Sequence, residues 1–180
     1  MTINLIMGCM FSGKTSALIT VAKMNKLFDR KVLIINFDED SRYSKSNKIT
    51  THDNTSLDCF PCGKDILSMK NVKEYRESEV ICINEGQFFQ NLVKFCISAC
   101  EDGKVIHVCG LDGDYRKRPF GEILNLIPHC ETVCKLQAIC MGCKNGTLAS
   151  FTKRTINSEE LVLIGSTESY IPVCRYCYNK

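Results

Sequence analysis

Through the first two-thirds of the chain, apolar residues gather in short continuous runs that alternate with segments of helical spacing. The runs are Ile3–Met7, Val32–Phe37, Val80–Ile83 and Val105–Leu111, and none of them alternates with polar residues in the manner of a half-exposed strand. Between them, Lys14–Leu27 lines up Ala17, Leu18, Val21, Ala22 and Met24 in a stripe, and Phe88–Cys100 does the same with Phe88, Leu92, Phe95, Cys96 and Ala99. Strands without a polar face, separated by helices, predict a parallel sheet covered on both sides. Ser41–Ser56 is polar and helix-poor and predicts a long loop.

The pattern changes after Pro128. From Leu136 onward come cysteine pairs, Gly142, Gly146 and polar stretches, with one β-like run at Leu161–Ile164. A segment of that size and composition is too poor in apolar residues to fold unaided, so it needs a staple. The organisation predicted is an α/β domain over residues 1–135 and a small stapled domain over residues 136–180.

One motif gives the first domain a chemistry. Gly8-x-x-x-x-Gly13-Lys14-Thr15 follows a strand and opens a helix, the context a phosphate-binding P-loop requires. Its glycines allow backbone N–H groups to converge on phosphate oxygens, and the helix N-terminus adds its dipole. Lys14 would reach the β- and γ-phosphates, and the Thr15 hydroxyl would ligate Mg²⁺. The bland alternative is a tight turn with an incidental lysine. The fold class expected is therefore a P-loop NTPase-like parallel sheet flanked by helices, with ATP as the ligand.

Further polar residues cluster where the apolar runs end. Asp38-Glu39-Asp40 and Arg42 follow the second run, and Asn84-Glu85-Gly86-Gln87 follows the third. Ligands of open parallel sheets gather beyond the carboxyl ends of the strands. A glutamate there can take the proton of an attacking hydroxyl, and an arginine can neutralise charge on a transferred phosphoryl group. Acidic residues after strands also cap loops, so no single one is diagnostic.

Cysteine usage explains the staple. Cys140-x-x-Cys143 and Cys174-x-x-Cys177 are two half-sites able to hold one tetrahedral Zn²⁺, with a thirty-residue lasso between them. A closed Cys₄ site is structural; redox dithiols or free thiols are the alternatives. Cys59-Phe-Pro-Cys62 reads as a pair of loop cysteines, and Cys82, Cys96, Cys100 and Cys109 read as core packing. Thirteen cysteines, an odd number, with no basic leader ahead of the apolar start, point to a reduced, cytoplasmic compartment rather than a disulfide framework. No run approaches the roughly 18–20 apolar residues of a membrane helix. A net charge of +3 is too weak to argue for nucleic acid.

Taken in order, these motifs resemble the cytosolic-type (type II) thymidine kinases. The residues that carry the likeness are Met10-Phe-Ser-Gly-Lys-Thr, Asp40-Ser-Arg-Tyr, Thr51-His-Asp, Glu85-Gly-Gln-Phe-Phe, Leu111-Asp-Gly, Arg118-Pro-Phe-Gly-Glu, Thr152-Lys-Arg and Val173-Cys-Arg-x-Cys-Tyr. The resemblance implies that Glu85 is the general base toward the thymidine 5′-hydroxyl, that Arg42 steadies the transferred phosphoryl group, and that Asp40 lies near the Mg²⁺. It implies an ATP loop of Gly8, Met10, Phe11, Ser12, Gly13, Lys14 and Thr15. Met10, Gln87, Phe88, Leu111, Tyr115, Thr152 and Tyr170 would line the nucleoside pocket, and the backbone of Leu163, Ile164 and Gly165 in the lasso would hold the base. Without the resemblance, Phe88, Leu111 and Tyr115 read as core. Similar enzymes are homotetramers inhibited by dTTP. Three departures stand out: Asn84 where the family usually has aspartate, Tyr115 for the usual phenylalanine with an unusual Asp114 before it, and a slightly long Cys143–Thr152 segment. The chain also ends three residues past Cys177, which implies the lack of the animal enzymes' regulatory tail.

Overall fold

In a computed structural model, residues 1–38, 48–51, 55–156 and 169–180 are described. Strand β1 (Thr2–Gly8) runs into the Gly8–Thr15 loop and helix α1 (Lys14–Leu27), and β2 (Val32–Phe37) follows. A short antiparallel arm, β3 (Lys48–Thr50) with β4 (Ser56–Asp58), leads to β5 (Phe60–Cys62), helix α2 (Lys73–Glu77) and β6 (Val80–Asn84). Helix α3 (Leu92–Glu101), β7 (Val105–Gly110) and β8 (Thr132–Leu136) complete the main sheet. Its order is β5-β2-β6-β7-β1-β8, and every pairing is parallel. The predicted parallel α/β sheet is therefore present.

Alternation along the strands sorts side chains onto two helical layers. From β6, Ile81 and Ile83 join Leu92, Phe95, Cys96, Ile106 and Val108 under α3, while Val80 and Cys82 join Leu18, Ile19 and Ala22 under α1. Burial on both faces explains why the runs carry no polar alternation. The parallel register also fixes where function can lie: Asn36 of β2 is level with Asn84 of β6, and Met7 of β1 with Gly110 of β7. The carboxyl ends of four strands thus share one edge.

Several expectations need correction. The second helix begins at Leu92, not Phe88: Gly86–Phe88 forms a 3₁₀ turn, and Asn91 takes φ 61°. The helix start is set from afar, because the Glu122 carboxylate accepts the N–H groups of Asn91 (2.9 Å) and Val93 (3.0 Å), a cap that local sequence does not announce. Within the predicted Ser41–Ser56 loop, Lys48–Thr50 pairs with Ser56–Asp58, and Ile49 is buried in the α1 layer. Cys62 does not lie in a loop; it is buried at the end of edge strand β5, whose Pro61 suits an edge position. Strand β8 was hidden because four of its five side chains are exposed. The β-like run at Leu161–Ile164 lies outside the described residues.

Beyond β8 come two small antiparallel pairs, β9 (Ala138–Ile139) with β10 (Leu148–Ala149), and β11 (Phe151–Arg154) with β12 (Tyr170–Val173), then helix α4 (Arg175–Asn179). Their apolar cluster is Cys9, Ala138, Cys140, Ala149 and Val173, with Phe11 and Phe151 packed against it. Two of those residues, Cys9 and Phe11, belong to the glycine loop that follows β1.

Phe95 is fully buried between α3 and the sheet and meets Tyr75 edge-on. Phe95→Ala should lower unfolding free energy by about 3–5 kcal/mol, as measured by denaturant titration.

Candidate active site

The loop at the end of β1 is held by its glycines and by one carbonyl. Gly8 has φ 150°, and a Cβ there would fall 2.4 Å from the Leu136 carbonyl oxygen, so no side chain fits. Gly13 has φ 83° with open space around it; its need is conformational. Phe11 also adopts a positive φ of 62°. The Cys9 carbonyl accepts both the Ser12 hydroxyl (2.8 Å) and the buried Lys14 ammonium (2.6 Å). Lys14 is thereby folded back over its own loop. The Met10 N–H donates to Thr152 Oγ1 at 3.0 Å and the Cys9 thiol to the Ala149 carbonyl at 3.4 Å, tying the loop to the C-terminal segment.

The carboxyl end of β6 faces this loop. Asn84, 6% exposed, accepts from Thr15 Oγ1 (3.4 Å) and from the Cys109 thiol (3.0 Å), and its amide donates to Asn36 Oδ1 (2.8 Å). Burial and the nearby Glu85 carboxylate push the Cys109 thiol far above its ordinary range, so it stays protonated and donates. Cys109 thus does more than pack. Glu85 itself sits at φ 56°, a left-handed conformation that a glutamate adopts only when its surroundings enforce it. Gln87, 3% exposed, donates through Nε2 to Glu85 Oε2 at 2.6 Å, and its Oε1 accepts the Leu111 N–H at 2.9 Å. Gly110 and Gly121 make room for Gln87: Cβ atoms on them would lie 2.5 Å from Gln87 Oε1 and 2.1 Å from the Gln87 carbonyl oxygen.

The aromatic residues form two groups. Phe88 lies 4.9 Å from Phe37 and 5.4 Å from Phe120, ring centre to ring centre. Phe120 was not singled out in the sequence, although Arg118-Pro-Phe-Gly-Glu contains it. Tyr115 and Tyr170 are bridged by Arg154, whose guanidinium stacks 3.7 Å over the Tyr115 ring and donates to the Tyr170 hydroxyl at 2.7 Å. A cavity of about 170 Å³ lies between the glycine loop and the C-terminal segment, with Cys9, Asp112, Asp114, Lys117, Phe151 and Thr152 among its walls. Of the expected nucleoside-lining residues, Thr152 alone is among the described walls of that cavity. The Asp114 carboxylate is occupied by the N–H groups of Arg116 and Arg118 and shapes the turn. Asp40, Arg42, Leu163, Ile164 and Gly165 lie outside the described residues.

The four paired cysteines converge. The Sγ atoms of Cys140, Cys143, Cys174 and Cys177 all lie within 4.8 Å of one another, with Cys143 3.6 Å from Cys174 and 3.4 Å from Cys177. A tetrahedron of thiolates around zinc has edges of about 3.8 Å, so the donor set fits. Burial opposes ionisation of Cys140, yet the N–H groups of Cys174 and Cys143 point at its sulfur from 3.2 and 3.4 Å, and its pKa is lowered to about 6. Backbone donors around that sulfur suit a metal-ligating thiolate, and the convergence of both pairs on one point is the arrangement a single Cys₄ metal site requires.

Fold and glycine loop together define an α/β protein built on a parallel sheet, with its polar residues gathered at the carboxyl edge of the strands. The family model for thymidine kinase matches residues 1–178. The chain is 43% identical over 177 residues to the thymidine kinase of Myxoma virus (strain Uriarra), covering 98% of this chain and 95% of the relative. It is 39% identical over 178 residues to the human cytosolic thymidine kinase (99% and 73%), and 38% identical over 181 residues to thymidine kinase 1 of Dictyostelium discoideum (98% and 77%). The chain belongs to the thymidine kinase family, whose members are ATP-dependent nucleoside kinases.

A Cβ on Gly142 would lie 2.7 Å from Cys177 Sγ. Elemental analysis should find about one zinc per chain in the native protein and far less in Gly142→Ala and Cys140→Ser, each with a lower thermal midpoint.

Proposed function

We propose that the protein transfers the γ-phosphoryl group of ATP to the 5′-hydroxyl of thymidine, giving dTMP. The observation that carries this reading is the placement of Glu85. Its carboxylate stands at the sheet edge that also holds Lys14 and Thr15, and Gln87 orients it while being tied to Leu111. A carboxylate fixed there can accept the hydroxyl proton as the oxygen attacks phosphorus. Lys14 exchanges the Cys9 carbonyl for β- and γ-phosphate oxygens when nucleotide enters. The Thr15 hydroxyl donates a hydrogen bond to Asn84 Oδ1, which leaves its lone pairs available to a cation. Magnesium held by Thr15, with Asp40 nearby, would neutralise charge on the phosphates. Arg42 steadies the transferred group.

Acceptor choice lies with the aromatic groups and the lasso. Phe88, Leu111, Tyr115, Thr152 and Tyr170 enclose the nucleoside, and Leu163–Gly165 meets the pyrimidine edge with backbone groups. A purine would leave those groups unpaired at a cost of about 1–3 kcal/mol. The end product dTTP is the expected inhibitor, because it presents the same base and sugar. Exposed Met24, Leu27 and Phe28 at the end of α1 give the chain an apolar surface suited to self-association, in keeping with a homotetramer. No helix among the described residues is long and apolar enough to cross a membrane, and the reading places the enzyme in the cytoplasm.

A coupled assay with ATP and each of the four natural deoxynucleosides tests the reading. Thymidine should be the preferred acceptor; ATP consumption equal with and without it would overturn the proposal. Glu85→Gln should lower kcat at least a hundredfold while calorimetric affinities for nucleotide and thymidine stay within a few-fold. Loss of binding would make Glu85 a structural residue instead.

A further inference from the structure

Aspartate is the usual family residue at position 84, and its replacement looks at first like a loss of charge beside the nucleotide. The surroundings of Asn84 say otherwise. Its Oδ1 receives two donors, Thr15 Oγ1 and Cys109 Sγ, and its Nδ2 gives a hydrogen bond to Asn36 Oδ1 at 2.8 Å. Asn36 in turn is not free to turn over. Its own Nδ2 donates to the Phe37 carbonyl at 3.2 Å, so an oxygen is presented to position 84. The parallel register, Asn36 level with Asn84, brings the two side chains together at the ends of adjacent strands.

An oxygen facing position 84 matches an amide and opposes a carboxylate. With aspartate there, two oxygens would face each other unless Asn36 flipped and gave up the Phe37 carbonyl. From this geometry we infer that Asn36 is a positioning residue that selects asparagine over aspartate at position 84 and holds the Asn84 carbonyl oxygen toward Thr15. The consequence concerns Thr15, and so rests on reading the Gly8–Thr15 loop as the nucleotide site. A hydroxyl that offers lone pairs to a cation needs an acceptor for its proton, and the oriented Asn84 oxygen is that acceptor. Asn36 touches neither nucleotide nor nucleoside in this scheme; it acts through Asn84.

The test is a double-mutant cycle on the zinc-loaded full chain, using Asn36→Ala and Asn84→Asp. Three readouts are taken: the thermal midpoint without nucleotide, the calorimetric affinity for a magnesium complex of a non-hydrolysable ATP analogue, and the KM for thymidine. With Asn84 present, Asn36→Ala should weaken analogue binding roughly five- to tenfold and lower the midpoint, since a buried amide donor loses its acceptor. In the Asn84→Asp background the same substitution should be neutral or favourable, because it removes the opposing oxygen. Asn36→Asp combined with Asn84→Asp sets two carboxylates against each other and should be the worst of the set. The KM for thymidine should hold steady throughout, which a general loss of structure would not allow. An equal cost of Asn36→Ala in both backgrounds would overturn the proposal, since it would show that Asn36 turns to suit either residue. The midpoint measurement decides this even if the chain proves not to phosphorylate thymidine.

Discussion

The hydrogen bond from the Met10 N–H to the Thr152 hydroxyl is small, but the arrangement of the site depends on the contact it marks. Within itself the glycine loop ties two side chains, Ser12 and Lys14, to a single carbonyl, that of Cys9. Its remaining support comes from behind. Here the support is the cluster formed by Cys9, Ala138, Ala149 and Val173 around Cys140, one of the four converging cysteines. The loop at the start of the chain therefore rests on a small C-terminal cluster whose centre is one of the four converging cysteines.

A second constraint is crowding around Gln87. Glu85 is left-handed, Gly121 is left-handed against the Gln87 carbonyl, and Gly110 lies flat against the Gln87 side chain. The strain at Glu85 is sustained because β6, the turn at Gly121 and the end of β7 all close on the same amide. The result is a carboxylate whose direction is settled by the Gln87 amide.

How much of this was legible in the sequence depends on the kind of signal. Apolar runs such as Val32–Phe37 announced themselves because strands buried on both sides lack regular polar alternation. The glycine loop and the paired cysteines were legible because each needs particular residue types at fixed spacing. Strand β8 was not legible, since an exposed edge strand has no apolar pattern to show. The start of α3 was misplaced because its cap, Glu122, comes from thirty-one residues away. Asn36 was passed over, and Cys109 was read as core packing alone, for a related reason. Each looks ordinary in its own segment, and only the register of three adjacent strands makes them neighbours of Asn84.

The interior of the protein is stocked with sulfur, and its chemistry follows from where that sulfur lies. Burial raises the pKa of Cys59, Cys62 and Cys130 to about 11 and that of Cys82 to about 12. Such thiols hold their protons at neutral pH and are poor nucleophiles toward oxidants and alkylating agents. Among the thirteen cysteines, Cys134 on the outer edge strand is the one classed by its accessibility as exposed, and Cys140 the one whose ionisation is favoured to a pKa of about 6. A chain that seems, by count, highly vulnerable to oxidative damage is instead largely passivated by its own fold. The most accessible sulfur lies at one surface thiol and at the corner where four cysteines meet.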